Sequence, residues 1–163
     1  MNIVFDIDDT LIFDNGRSAP NMQIVEFLKD MKSQGHKIHL ITARAKSVEK
    51  MTKQELSRSG IPWDTLDLAF EKDRVSLAAT SAFKSRARAQ YAPVAVTIGD
   101  QWGDMTILND DSDIDAWDAK TCAEGVPNVL NGTCSIERPT PWVLVTPNDN
   151  NSFLGLKLMA NRR

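Results

Sequence analysis

The chain has 163 residues, 42% of them hydrophobic, which suits one domain with a single sizeable core and argues against two. A formal net charge of -3 gives no general reason to expect a nucleic-acid or membrane-surface partner. No stretch approaches about 18 consecutive apolar residues and no leader-like segment opens the chain, so the expectation is a cytoplasmic protein without a membrane span, with Cys122 and Cys134 as free thiols.

In chain order, Ile3-Val4-Phe5 is a short apolar run of the kind that forms a fully buried parallel strand, with Asp6 at its carboxyl end. Asp14-Asn15-Gly16 supplies a turn, and Pro20-Asn21 precede a helix carrying Ile24, Phe27, Leu28 and Met31 on one face until Gly35 stops it. Lys37 to Ile41 reads as a second strand ending at Thr42. Ser47 to Ser59 reads as a helix closed by Gly60, and Leu66 to Phe70 as a third strand. A helix covers part of Arg74 to Tyr91, and the β-branched run Val94 to Ile98 is a fourth strand with Gly99-Asp100 just past its end. Alternation of this kind predicts an α/β fold built on a doubly wound, mainly parallel sheet.

In such a sheet the ligand crevice lies outside the carboxyl ends of the strands. Asp6, Thr42 and Asp100 fall at three such ends and converge on one place. Asp8 follows Asp6 by two residues, so in extended chain both carboxyls face the same side while Ile7 points back to the core. Two acids there can divide labour. One, ionised beside a divalent cation, attacks phosphorus; the other exchanges protons with the leaving oxygen and with water. Hard oxygen donors favour Mg²⁺ over zinc.

The segments "DIDDT" at Asp6 to Thr10, "LITAR" at Leu40 to Arg44, Lys84, and "GDQWGD" at Gly99 to Asp104 resemble, in order, the four motifs of the haloacid dehalogenase (HAD) superfamily of phosphohydrolases. "FKSRAR" followed by "IGDQWGD" is similar to its class B-like acid phosphatase subfamily (IIIB), with "WVLVTPNDN" at Trp142 to Asn150 like that subfamily's closing strand and turn. The resemblance implies a HAD-like Rossmannoid fold in which Asp6 is the nucleophile and Asp8 the general acid/base. It implies that Asp6, the backbone carbonyl of Asp8 and Asp100 hold Mg²⁺, and that Thr42 bonds a phosphoryl oxygen. Lys84 then neutralises charge between nucleophile and phosphate, and Asp104 supports the metal shell or orients the lysine. Lys72, two residues past Phe70, is the competing candidate for the lysine.

Elsewhere the blander readings prevail. His36 and His39 read as surface or packing residues, and the Lys84, Arg86, Arg88 cluster as a solvated helix face with Lys84 the exception. No cap-sized insertion separates Thr10 from the first helix or Thr42 from Lys84, so the crevice is expected to be open, with 109–141 a possible lid within one domain spanning 1–163. The predicted substrate is a small phosphorylated molecule. Alternatives are a phosphorylated nucleic-acid end or phosphoprotein, and a non-catalytic phosphate-accepting switch, which would not need Asp8. The sequence carries no signal for oligomeric state.

Overall fold

The N-terminal apolar run forms β1 (Asn2–Phe5), which lies inside a six-stranded sheet of order β3-β2-β1-β4-β5-β6. This computed structural model describes residues 1–104, 142–145 and 156–159. β1 pairs in parallel with β2 (Lys37–Ala45) on one side and β4 (Val94–Gly99) on the other; β3 (Thr65–Ala69) and β5 (Trp142–Val145) extend the parallel part. β6 (Leu156–Met159) closes the sheet antiparallel to β5.

Among the described residues, three α-helices cover the two faces. α1 (Met22–Ser33) begins where the Asn21 side chain accepts the Ile24 N–H, and Gly35, in the left-handed region at φ +89°, follows its end. α2 (Glu49–Arg58) is closed in the same way by Gly60, and α3 (Leu77–Ala89) is capped by Ser76, whose hydroxyl accepts the Ala79 N–H at 3.0 Å. Period-two alternation along β1 decides the layering. Ile3, Phe5 and Ile7 pack with Ile24, Val25 and Leu28 of α1 and Leu56 of α2, whereas Val4 joins Ile41 and Ala87 of α3 in a second cluster. The sheet is therefore covered on both sides, as the alternation of elements predicts.

Four details differ from expectation. β2 runs three residues past Thr42, because its pairing with β3 resumes at Ala45 beyond an irregularity. Phe27 is exposed, its ring only tilted against that of Phe5 at 6.3 Å, and Val25 takes the buried place in α1. Arg88 is buried, so the basic cluster on α3 is not a solvated face. β6 is an additional element that four residues of sequence do not announce. His39 is a packing residue, as expected: its ring stacks on Tyr91 at 3.8 Å and bonds Thr65 and Asn2.

Among the described residues, β1 is joined to α1 by a short 3-10 turn (Asp14–Gly16), and β2 to α3 by α2, β3 and a second turn (Glu71–Arg74). Neither connection is a cap. No helix among the described residues is long and apolar enough to cross a membrane. The expectations for 109–141, for Cys122 and Cys134, and for the turn at 147–150 lie outside the described residues.

Candidate active site

β1 and β4 are neighbours in the sheet although β2 and β3 intervene in the chain, so the strand order reverses between them. A crevice opens at that reversal, and the residues just past the two strands, Asp6 and Asp100, flank it. Asp6 prolongs the pairing by donating its N–H to Ile98 O at 2.9 Å. The Thr10 hydroxyl lies 3.2 Å from Asp6 Oδ2 and 3.4 Å from Asp100 Oδ1, so its single proton bridges the two acids.

A third acid reaches the same point by a local fold. The 3-10 turn Trp102–Asp104 bends back on β4, and Asp104 Oδ2 accepts the N–H groups of Asp100 at 3.1 Å and Gln101 at 3.0 Å. This return needs Gly99, where a Cβ would fall 2.4 Å from Asp104 Cβ. Carboxylate oxygens of Asp6, Asp100 and Asp104 lie within 4.8 Å of one another, and all three residues are buried.

Lys84 enters from α3. Its Nζ donates to Asp6 Oδ1 at 2.8 Å and also to Asp104 Oδ1, with the residue only 8% exposed. Of the two candidate lysines this is the one brought to the acids; Lys72 sits in the exposed turn Glu71–Arg74 beside Asp67, Phe70 and Arg86. Arg88, one turn beyond Lys84, donates from Nη1 to Asp104 O at 2.6 Å and so braces the same turn. Burial alone would depress the Lys84 ammonium, but Asp104 and Asp6 outweigh it and hold it above its ordinary value. Burial lowers Arg88 to about 10 against the opposing charge of Asp104.

The acids themselves are under strain of the opposite sign. Burial first, then the charges of Asp6 and Asp104, push the Asp100 carboxyl well above the usual carboxylate range. Asp6 is raised too, by burial and by Asp104, with Lys84 opposing. One ammonium does not balance three clustered carboxylates, and a divalent cation removes the repulsion that raises them. The donor set therefore fits a hard cation held by oxygen.

Thr42 is fully buried on β2, and its hydroxyl oxygen accepts the Arg44 N–H at 3.1 Å, which leaves the hydroxyl proton to donate elsewhere. Asp8 stands apart from the acid cluster. Its side chain, 42% exposed, receives Arg44 in a two-pronged pair, Nη2 to Oδ1 at 2.8 Å and Nε to Oδ2 at 2.9 Å. Arg44 is anchored from behind by Glu55 of α2, Nη1 to Oε2 at 2.6 Å.

Three residues of this constellation carry no role in the sequence reading: Thr10, Arg44 and Arg88. Two of them were marked by spacing. Arg44 follows Thr42 by two residues in an extended strand, the rule that joins Asp6 to Asp8, and Arg88 follows Lys84 by four on a helix. Nothing in the local sequence marks Thr10 as a bridge, since Asp100 is remote in the chain.

A large concavity of about 770 Å³ runs along α2 past Glu49, Lys50 and Lys53, but it holds none of these groups. The model of the HAD superfamily, subfamily IIIB (acid phosphatase), matches residues 12–121. A solved structure, the class C acid phosphatase from Bacillus anthracis, superposes with a TM-score of 0.50 at 22% identity, covering 64% of this chain and 53% of that one. That likeness bears on fold alone, and the chain spans about half the length of that protein. Curated protein sequences give no match. With more than half of its residues under the family model and with the doubly wound sheet in place, the chain belongs to subfamily IIIB, the acid phosphatases, of the HAD superfamily.

Proposed function

We propose that the protein hydrolyses phosphomonoesters through a phosphoryl-enzyme formed on Asp6, with Mg²⁺ as its cation. The observation that carries this reading is the setting of Asp6: bonded to Lys84, within 4.8 Å of two further buried carboxylates, and followed two residues later by an exposed acid. Membership of an acid phosphatase family supports turnover over a phosphate-accepting switch.

In the first half-reaction an Asp6 carboxylate oxygen attacks phosphorus, the bond from phosphorus to the ester oxygen breaks, and Asp8 gives a proton to that departing oxygen. In the second, water attacks the same phosphorus, Asp8 takes its proton, and the bond to Asp6 breaks to free inorganic phosphate. The bound cation supplies charge neutralisation between carboxylates and phosphate, with Asp6, Asp100, Asp104 and the Asp8 carbonyl as the groups that would hold it. Lys84 and the Thr42 hydroxyl serve the phosphoryl oxygens, and Arg44 keeps the Asp8 carboxyl in one orientation.

Release of p-nitrophenol from p-nitrophenyl phosphate tests the reading. Activity should appear with Mg²⁺, disappear in excess EDTA, and be lost in Asp6→Asn, whose amide cannot accept the phosphoryl group. Full activity of metal-free protein, or wild-type rates in Asp6→Asn, would refute it.

A further inference from the structure

Beyond the carboxyl ends of β2 and β3, and beside the turn after β1, lies a groove of about 520 Å³ lined in part by Arg44. Asn15 and Arg17 from the turn after β1, Glu71 and Arg74 from the turn after β3, and Met51 of α2 all line it. Arg44 is the shared residue, because the guanidinium that lines this groove also grips Asp8 at 2.8 Å. A proton given by Asp8 goes to the leaving oxygen, so the rest of the leaving group lies on the Asp8 side of the phosphoryl group, where this groove begins.

We propose that the groove is the leaving-group subsite and that it takes leaving groups bearing a second phosphate, held by Arg17 and Arg74. This rests on the hydrolase reading above and adds the substrate class to it.

The two guanidiniums are held only loosely by their present partners. Arg17 pairs with Asp14 at 3.2 Å and Arg74 with Glu71 at 3.6 Å, both pairs formed across one turn between side chains 43% to 80% exposed. Exposed pairs of this kind contribute little and are readily exchanged for a bound anion. Arg74 is also anchored by its Nε, which donates to Ala43 O at 3.0 Å. Glu55, the other acid on the wall, is already committed to Arg44.

The turn that presents Arg17 is built at a conformational cost. Asp14, Asn15 and Gly16 have φ of +51°, +53° and +81°, three successive residues in the left-handed region, two of them not glycine. The turn is braced against α2, where a Cβ on Gly16 would come 3.4 Å from Glu55 Cδ. Glu55 thus holds Arg44, next to Asp8, and lies beside the turn that presents Arg17. A phosphate reached by both Arg17 and Arg74 would meet forked guanidinium donors, beside the apolar side chains of Ala45, Val48 and Met51 that also line the groove.

The test compares kcat/KM, by release of inorganic phosphate, for thymidine 5′-monophosphate, thymidine 3′,5′-bisphosphate and a 5′-phosphorylated thymidine dinucleotide. The bisphosphate should exceed the monophosphate by about tenfold or more, the scale of one charge-assisted hydrogen bond, and the ratio should shrink as salt is raised. Preference extending to the dinucleotide assigns the second phosphate to a nucleic-acid end, and preference for the bisphosphate alone assigns it to a small metabolite. Arg17→Ala combined with Arg74→Ala should bring the ratio near one, while Glu71→Gln should raise it, a pair of opposite signs that loss of structure does not produce. A ratio near one in the wild type, or one indifferent to both arginines, overturns the subsite but leaves the hydrolase reading standing. Failure to release phosphate from any of these and from p-nitrophenyl phosphate removes both.

Discussion

At the scale of single residues, the site is a problem of placing charge. Lys84 is held by Asp6 and Asp104 inside a buried cluster, and on the proposed mechanism it faces the charge of the transferring phosphoryl group. Lys84→Ala should therefore lower kcat/KM on an aryl phosphate by about 10²-fold or more, and Lys72→Ala, in an exposed turn away from the acids, should change it little. Steady-state kinetics of both variants on one substrate decide the assignment, and the reverse pattern would move the role to Lys72. Gly99→Ala probes the same cluster from the backbone. The new methyl group would collide with the Asp104 side chain at 2.4 Å and displace it from Lys84 and from the Asp100 and Gln101 amides. Activity should fall severely in this variant while the circular dichroism spectrum stays close to wild type; near-normal turnover would show that Asp104 tolerates displacement.

At the scale of elements, each helix contributes differently. α1 is an anchor: Ile24, Val25 and Leu28 fill the space beneath Phe5 and Ile7, with Leu28 fully buried. Leu28→Ala should cost about 2–5 kcal/mol in denaturant unfolding, since both transfer free energy and a cavity are involved. Phe27→Ala, one position away but exposed, should cost distinctly less; equal losses would contradict the packing described here. α2 and α3 also carry chemistry, because Glu55 holds Arg44 and so Asp8, while Lys84 and Arg88 hold Asp104. Element packing and site geometry are therefore coupled at these two helices.

At the scale of the molecule, the acid cluster ties stability to pH and to metal. Asp6 and Asp100 have folded-state values raised above those of the unfolded chain, chiefly by burial. The sign follows from linkage: their contribution in metal-free protein is fully present below about pH 4, the ordinary carboxylate range, and is lost as pH rises through the raised values. A divalent cation held there, as proposed, would bind the ionised forms, so its stabilisation would grow in the same direction. The rise in Tm produced by saturating Mg²⁺ should be larger at about pH 8 than at about pH 5, and Asp100→Asn should flatten that difference. A Mg²⁺ effect independent of pH would dissociate the cluster from the cation.

Local patterns in the sequence were sufficient to specify the strands around Asp6, Thr42 and Asp100 and the alternation of helices. These depend on periods of two and 3.6 and on turn residues, which act between near neighbours. The local likeness around Lys84 favoured it over Lys72, but its contact with Asp6, 78 positions away in the chain, required α3 to pack against β1 and β4. The Thr10 bridge to Asp100, spanning 90 positions, and the Arg44 clasp on Asp8, spanning 36, likewise exist only once β1, β2 and β4 lie side by side. Long-range charge pairing of this kind leaves no periodic trace in the sequence, because it depends on strand order, and strand order is a property of the folded sheet.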